Sequence, residues 1–411
     1  MIFRLAAPAV HISADGRRYL LATACLGFGS GLLYLFFNLY VLSLGYDRAL
    51  VGLLAALPAL VTALSAIPIG IVLPRLGFRR SLLLGTILLA LALLAWASWP
   101  AAPVLVGAAV ASGVGSVLLS VVSSPLMMSA TPIGSRTRLF GLQFAVSTFA
   151  SVAASLFGGF AARWLVEGGR PDRDGYRALL FVAAALTLAA LLPLSRLRAV
   201  SQREDERLHV AAWRSHKHIL AALFAVQLVG ALGAGLTMPF LNVFFRLRFA
   251  VPDDLLGTVF ALSSFLTGCA ALASPGLARR FGRIRAVVAS QLASIPLLLA
   301  MALVPGFAAS AGCFLARTAL MNMSSPIFAA FSMTVVPASV RPLAASLLML
   351  AWNLGWALSA WVSGQLQGSI GFTPLFVLTA AFYVTASVMT AWFFGRGRDS
   401  AGEVSPAARS G

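Results

Sequence analysis

Arg317 sits in FLARTALMNMSSP, residues 314–326, where it interrupts an otherwise uncharged run. Its guanidinium presents five N–H donors in a rigid planar fork, the shape that grips a carboxylate or phosphate in two places. Asn322 adds an amide to the same run, and WNLGW at 352–356 sets Trp352 and Trp356 about one helical turn apart with Asn353 beside them. Paired indoles and an amide suit a planar or amphipathic solute. Tyr34 and Asn38, four residues apart, share one helix face, and Gln143 and Asn242 complete the candidate binding residues. None of these side chains does metal or acid–base chemistry at neutral pH. Asp, Glu and His are missing from the long apolar runs, whereas hydrolysis, group transfer and carboxylate proton relays need them. No glycine-rich phosphate loop is present to drive pumping by a nucleotide. The chain is therefore read as no enzyme, with no cofactor and no metal site.

The elements that must hold these residues follow from composition. Of 411 residues, 60% are hydrophobic and 10% charged, far outside the range of a soluble globular chain. Scanning for apolar runs of about 20 residues, enough to cross a hydrocarbon core, gives twelve spans, among them 20–44, 219–245, 307–333 and 342–366. They lack two-residue alternation, so the expected class is an all-α membrane protein in a lipid bilayer and not a barrel. Charge orients it. With both termini on the cytoplasmic side, that side collects 22 of the 30 Lys and Arg residues, as the excess of positive charge in cytoplasmic loops requires. The basic charge thus reports topology in a bacterial-type cytoplasmic membrane, not nucleic-acid binding. Cys25, Cys269 and Cys313 all fall inside spans and suggest no disulfide.

An internal repeat organises the spans. Gly52 recurs as Gly257, Gly77 as Gly282, Arg80 as Arg285 and Gly159 as Gly364, all 205 residues on, and Asn38 recurs as Asn242 at 204. The expected organisation is a cytoplasmic segment 1–19, a six-helix bundle 20–195, a charged linker 196–218, a second bundle 219–394 and a tail 395–411. Two such halves related by an axis along the membrane normal place a binding site at mid-depth between them. Arg317, about ten residues from the outer end of its span, would then lie roughly 15 Å deep.

The turn GIVLPRLGFRR, 70–80, returns as PGLARRFGRIR, 275–285. In the spacing of Gly70, Arg75, Gly77, Arg79 and Arg80, and of Gly276, Arg280, Gly282 and Arg283, these turns resemble the signature of the major facilitator superfamily of secondary transporters. The resemblance covers essentially the whole chain. It implies the superfamily's twelve-helix fold, a central cavity lined by the first, fourth, seventh and tenth helices, and a gating role for the basic turns on the cytoplasmic side. Where the signature has Asp, this chain has Pro74 and Arg279, so a latch built on that carboxylate cannot form. In the fifth helix, Ala150, Ala154, Ser155, Gly158 and Gly159 are similar to a small-residue run of the superfamily's exporters, though small residues at that spacing also serve plain packing.

Three functional readings follow. The aromatic cluster and the fifth-helix run point to export of amphipathic compounds by alternating access. Arg317 points to uptake or exchange of a small organic anion, unless it only ties helices together. A non-transporting membrane receptor or assembly factor on the same fold is the reading of another class. The expected partners are a small-molecule solute and the bilayer, with the protein a monomer.

Overall fold

Uninterrupted Leu, Ala, Val and Phe in a membrane must satisfy every backbone polar group internally, and helices do so within each span. The computed structural model describes residues 13–129, 136–198, 212–337 and 340–395. Among them it is all-helical. The first half comprises α1 (Ala14–Ser43), α2 (Arg48–Leu76), α3 (Phe78–Ser98), α4 (Ala102–Ser129), α5 (Arg136–Glu167), α6 (Asp172–Ala189) and a short continuation α7 (Leu191–Ser195). The second comprises α8 (Ala212–Thr237), a 3-10 turn at Met238–Phe240, α9 (Leu241–Phe249), α10 (Asp253–Phe281), α11 (Arg283–Leu303), α12 (Phe307–Thr334), α13 (Arg341–Ile370) and α14 (Thr373–Phe394). Two helices start well before the expected limits of their bundles. Helix α1 begins six residues early, where the Ser13 hydroxyl accepts from the Gly16 amide at 3.0 Å and caps it. Helix α8 begins within the expected linker, at Ala212.

Among the described residues, eleven segments are long and apolar enough to cross a membrane, with α6–α7 and α8–α9 each counting as one. The expected tenth span is the 28-residue helix α12, but it falls outside that set. Arg317, Asn322, Ser324 and Ser325 dilute its apolar character, and those polar side chains line the cavity described below.

Packing repeats as the sequence does. In the first half α1 packs on α5 and α6, α3 on α4 and α6, and α2 on α4. In the second, α8 packs on α13 and α14, α11 on α12 and α14, and α10 on α12. The halves meet through α2 against α13 and α5 against α10, which are each other's repeat images. Glycine permits these two crossings. A Cβ on Gly52 would stand 2.6 Å from the Gly364 Cα, and a Cβ on Gly159 would stand 3.0 Å from the Gly257 Cα. Since Gly52 and Gly257 are repeat mates, as are Gly159 and Gly364, one contact is the two-fold image of the other, the mark of a self-complementary interface.

The halves share a core at one end. There a single apolar core runs through both, from Leu35, Phe36 and Tyr40 to Phe244, Phe260 and Phe376. At the opposite end the core divides into one cluster around Phe78 and Leu126 and another around Leu223 and Phe331. The divided end carries the basic turns. Gly77 and Gly282 have φ of 74° and 81°, a left-handed conformation that favours glycine, so each turn reverses the chain in one residue. Arg79, Arg80, Arg280 and Arg283 are exposed and form no ion pair among the described residues. Arg283 donates to Thr334 Oγ1 at 3.1 Å within its own half, and Gly276 is exposed. The side chains at Gly70 and Arg75 lie outside the described set.

Gly52→Val and Gly257→Val should each force the halves apart at the clamped end, at a cost of about 1–3 kcal/mol for overpacking. A cysteine placed at buried Leu241 should then react faster with an impermeant maleimide added on that side. Gly107→Val, where a Cβ meets nothing within 4 Å, should leave the rate unchanged.

Candidate functional site

The site is organised by a helix break. Pro239 has no N–H to donate and its ring crowds the preceding turn, so α8 cannot run on into α9. Carbonyls around the break are taken up by side chains from other helices. Ser363 Oγ donates to the Leu236 carbonyl at 2.6 Å, Thr379 Oγ1 to the Gly233 carbonyl at 3.1 Å, and Asn38 Nδ2 to the Pro239 carbonyl at 2.6 Å. Tyr34 OH lies 3.4 Å from the Met238 carbonyl.

The asparagine contact is reciprocal. Asn242 Nδ2 donates back to the Leu35 carbonyl at 2.7 Å, and Asn38 Nδ2 lies 3.4 Å from Asn242 Oδ1. Leu35 and Pro239 are themselves 204 residues apart, so the two strong bonds exchange under the repeat and the axis passes between the asparagines. Both side chains are buried and neither lines the cavity. Their expected place in the binding set is thus corrected: carbonyls across the interface consume their amides.

Above this clasp, ion pairs bridge the halves. Arg163 of α5 meets Asp254 of α10 at 2.5 Å, Arg246 of α9 meets Asp172 of α6 at 2.8 Å, and Tyr176 OH donates to Asp253 at 3.0 Å. Asp253, expected in a loop, is the first residue of α10 and is only 3% exposed. Arg48 donates to the Gln367 carbonyl of α13 at 2.7 Å.

Below the clasp, toward the divided end, lies a cavity of about 680 Å³. Arg317, Asn322, Tyr34, Trp352, Asn353 and Trp356 all line it, whereas Gln143 does not. Nor does α4, whose Ser112 and Ser120 bond to their own helix carbonyls. The lining is unequal: α1 and α5 contribute Tyr34, Phe144 and three hydroxyl residues, and the second half supplies the rest. Two glycines of α8 draw the polar centre together. Trp356 packs its backbone on Gly235, Tyr383 lays its ring edge on Gly233, and Met238 follows one turn on. Arg317 reaches into that group.

Arg317 is 4% exposed and is the only charged residue in the lining. One terminal nitrogen donates to the Met238 sulfur at 2.9 Å, the other to Tyr383 OH at 2.8 Å, and the guanidinium carbon lies 5.5 Å from the Tyr383 ring centroid. Its Nε has no partner among the described residues, nor has Thr318 Oγ1. No carboxylate among the described residues faces it. A thioether is a weak acceptor, so this cation is held in place but poorly compensated. Elsewhere Asn322 donates to Thr267 Oγ1 at 3.2 Å, Asn353 to its own helix at Met349, and the Trp352 and Trp356 rings lie 5.9 Å apart. Met238, Tyr383 and Thr318 are site residues that sequence reasoning missed; Pro239 inside an apolar run was the signal for the break.

The sequence matches the family described as Major Facilitator Superfamily over residues 19–338 and again over 223–410. Among solved structures, a mutant of the nucleoside transporter NupG aligns with a TM-score of 0.76 at 15% identity, covering 92% of this chain and all 100% of its own. A bacterial homologue of the human lysosomal transporter Spinster, in an inward-facing and occupied conformation, aligns at 0.72 with 16% identity over 92% and 95% of the two chains. The xylose transporter XylE from E. coli, inward open, aligns at 0.72 with 16% identity over 93% and 96%. At these identities the likeness is one of fold. No curated protein sequence matches the chain.

Asn38→Leu and Asn242→Leu should each destabilise the protein by about 1–3 kcal/mol, because each leaves a buried carbonyl unpaired. Their double variant should fall short of the sum by at least about 0.5 kcal/mol in thermal or denaturant unfolding, as coupled neighbours do; strict additivity would show two independent bonds.

Proposed function

The chain belongs to the major facilitator superfamily, a family of transporters and not of enzymes, and on that premise we propose that it exchanges or takes up a small organic anion by alternating access. The observation that carries the reading is Arg317, buried in the cavity wall with a sulfur and a hydroxyl as its partners and no acid in the lining. An arginine at mid-membrane costs about 2.5–3.5 kcal/mol on insertion scales. An anionic solute offsets that cost. The poorly compensated charge also argues for exchange, since closing an empty cavity around it removes the water that solvates it, whereas a loaded cavity closes around a neutral pair.

The proposed topology has twelve spans, with α12 as the tenth, and both termini and the basic turns on the cytoplasmic side of a bacterial cytoplasmic membrane. In that frame the clamped end faces outward and the cavity opens inward. The cycle then alternates the asparagine clasp and its ion pairs with a closure at the basic turns, for which Arg79, Arg80, Arg280 and Arg283 are the proposed gating residues. With Pro74 and Arg279 in place of the signature's Asp, that inner closure uses another partner.

Export of amphipathic compounds is the second reading, and Trp352 beside Trp356 favours it. The fifth-helix run does not add to it, because packing accounts for those residues: a Cβ on Gly27 would meet Ala150 at 3.1 Å, one on Gly31 would meet Ala154 at 2.8 Å, and Gly159 faces Gly257. The two-halved cavity favours transport by a monomer over a receptor role.

Arg317→Gln should leave the protein folded and monodisperse while lowering anion affinity and exchange in proteoliposomes by about a hundredfold, the scale of a lost pair of charge-assisted hydrogen bonds. Arg317→Lys should fall between, keeping the charge and losing the fork. Variants that lose thermal stability but bind normally would make Arg317 a packing residue.

A further inference from the structure

The polar atoms of the cavity specify more than an anion. Its charge count comes first. Among the lining residues there is one cation and no acid, so a solute with one negative charge leaves the closed site neutral, whereas a dianion leaves one buried charge unmatched. The donor geometry comes second. Arg317 spends one hydrogen of each terminal nitrogen, on Met238 and Tyr383, while its Nε is buried without a described partner. Each terminal nitrogen keeps a second N–H, and a planar guanidinium receives a planar carboxylate in two parallel bonds. Tyr383 holds the guanidinium in place by its hydroxyl bond and its ring. Thr318, next in sequence, belongs to the same lining, its hydroxyl buried and without a described partner.

The walls come third. Aromatic side chains line the cavity in unusually open positions: Trp352 is 40% exposed, Phe144 42% and Tyr34 52%. Trp352 and Trp356 lie with ring planes 34° apart, and Gly235 of α8 ties the Trp356 backbone one turn from Met238, the residue that holds Arg317. The Trp356 backbone and the Arg317 guanidinium therefore meet the same stretch of α8, and both tryptophans line the same cavity. Flat aromatic surfaces favour a flat ring by offset stacking.

We propose that the solute is an aromatic monocarboxylate, its carboxylate paired with the Arg317 guanidinium and its ring against Trp352 and Trp356. This rests on the anion reading above and narrows it to one charge and one ring.

The test measures binding to the full-length protein in nanodiscs by calorimetry, with tryptophan fluorescence as a second readout. The probes are benzoate, benzamide, cyclohexanecarboxylate, phenyl phosphate and phthalate. Benzoate should bind, and benzamide, the same shape without charge, should bind about a hundredfold more weakly. Cyclohexanecarboxylate should lose about tenfold for want of a flat face, and Trp352→Leu should erase that difference while sparing cyclohexanecarboxylate. Arg317→Gln should erase the preference for benzoate over benzamide, which a merely structural arginine would not do, and Thr318→Val should weaken benzoate by severalfold. Phenyl phosphate or phthalate binding tighter than benzoate would overturn the single-charge assignment and leave the anion reading standing. Equal binding of benzoate and cyclohexanecarboxylate would overturn the ring assignment alone. Benzamide equal to benzoate, or no binding by any of the five probes, would overturn the proposal, and the first of these would remove the anion reading with it.

Discussion

The structure hangs on a missing hydrogen. Pro239 cannot donate to the helix that precedes it, and the backbone oxygens exposed near that break give the other half something to hold. Asn38 takes one of them, and Asn242 returns the bond to Leu35 on the opposite helix. In hydrocarbon an unmatched carbonyl is expensive, so the break and the clasp stabilise each other. The glycine crossings on either side bring the backbones close enough for side chains as short as asparagine to reach across. Tilted ring contacts such as Phe244 with Phe376, 4.9 Å between centroids, then fill the second half's share of the joint core.

The same break connects the clasp to the cavity. Met238 presents its sulfur to Arg317, while its carbonyl faces Tyr34 and the next carbonyl belongs to Asn38. Arg317 is therefore held by the residue next to the one that Asn38 clasps. Polarity is also divided by depth. The ion pairs of Arg163, Arg246, Asp172 and Asp253 sit at the clamped end, and the cavity holds a single charge. Surface-exposed pairs are individually weak; several of them beside a buried Asp253 reinforce a closure that the apolar core already makes.

Much of the frame was legible in the amino-acid sequence because duplication leaves a record. Gly52 with Gly257 and Gly159 with Gly364 were visible as repeat mates, although only the fold reveals that each touches the other pair's member and not its own mate. Asn38 and Asn242 were visible as rare polar residues, and their chemistry pointed equally to a solute or to each other. Arg317 stood out because charge is so scarce. Met238 and Tyr383 did not, since thioethers and phenols are ordinary inside apolar helices and only proximity gives them a role. Asp253 read as a loop residue because its burial is supplied by the opposite half, which no local pattern records. Helix α12 reads as less apolar than its neighbours because its polar side chains face the cavity.

The inequality of the cavity wall has a consequence for how such a chain can change over generations. The joint is built from pairs related by the two-fold, so a substitution at Gly52 is felt by α13, and one at Asn38 strands the Pro239 carbonyl in the opposite half. Variation there is expected to come in matched steps. The cavity answers to no such bookkeeping, since Arg317, Trp352 and Tyr383 have no counterparts in the first half that must follow them. A duplicated ancestor could thus keep its moving joint fixed while one copy drifted toward new chemistry. Lineages that share this joint are expected to differ most along the cavity-facing sides of α12, α13 and α14, and least at the four glycines and two asparagines.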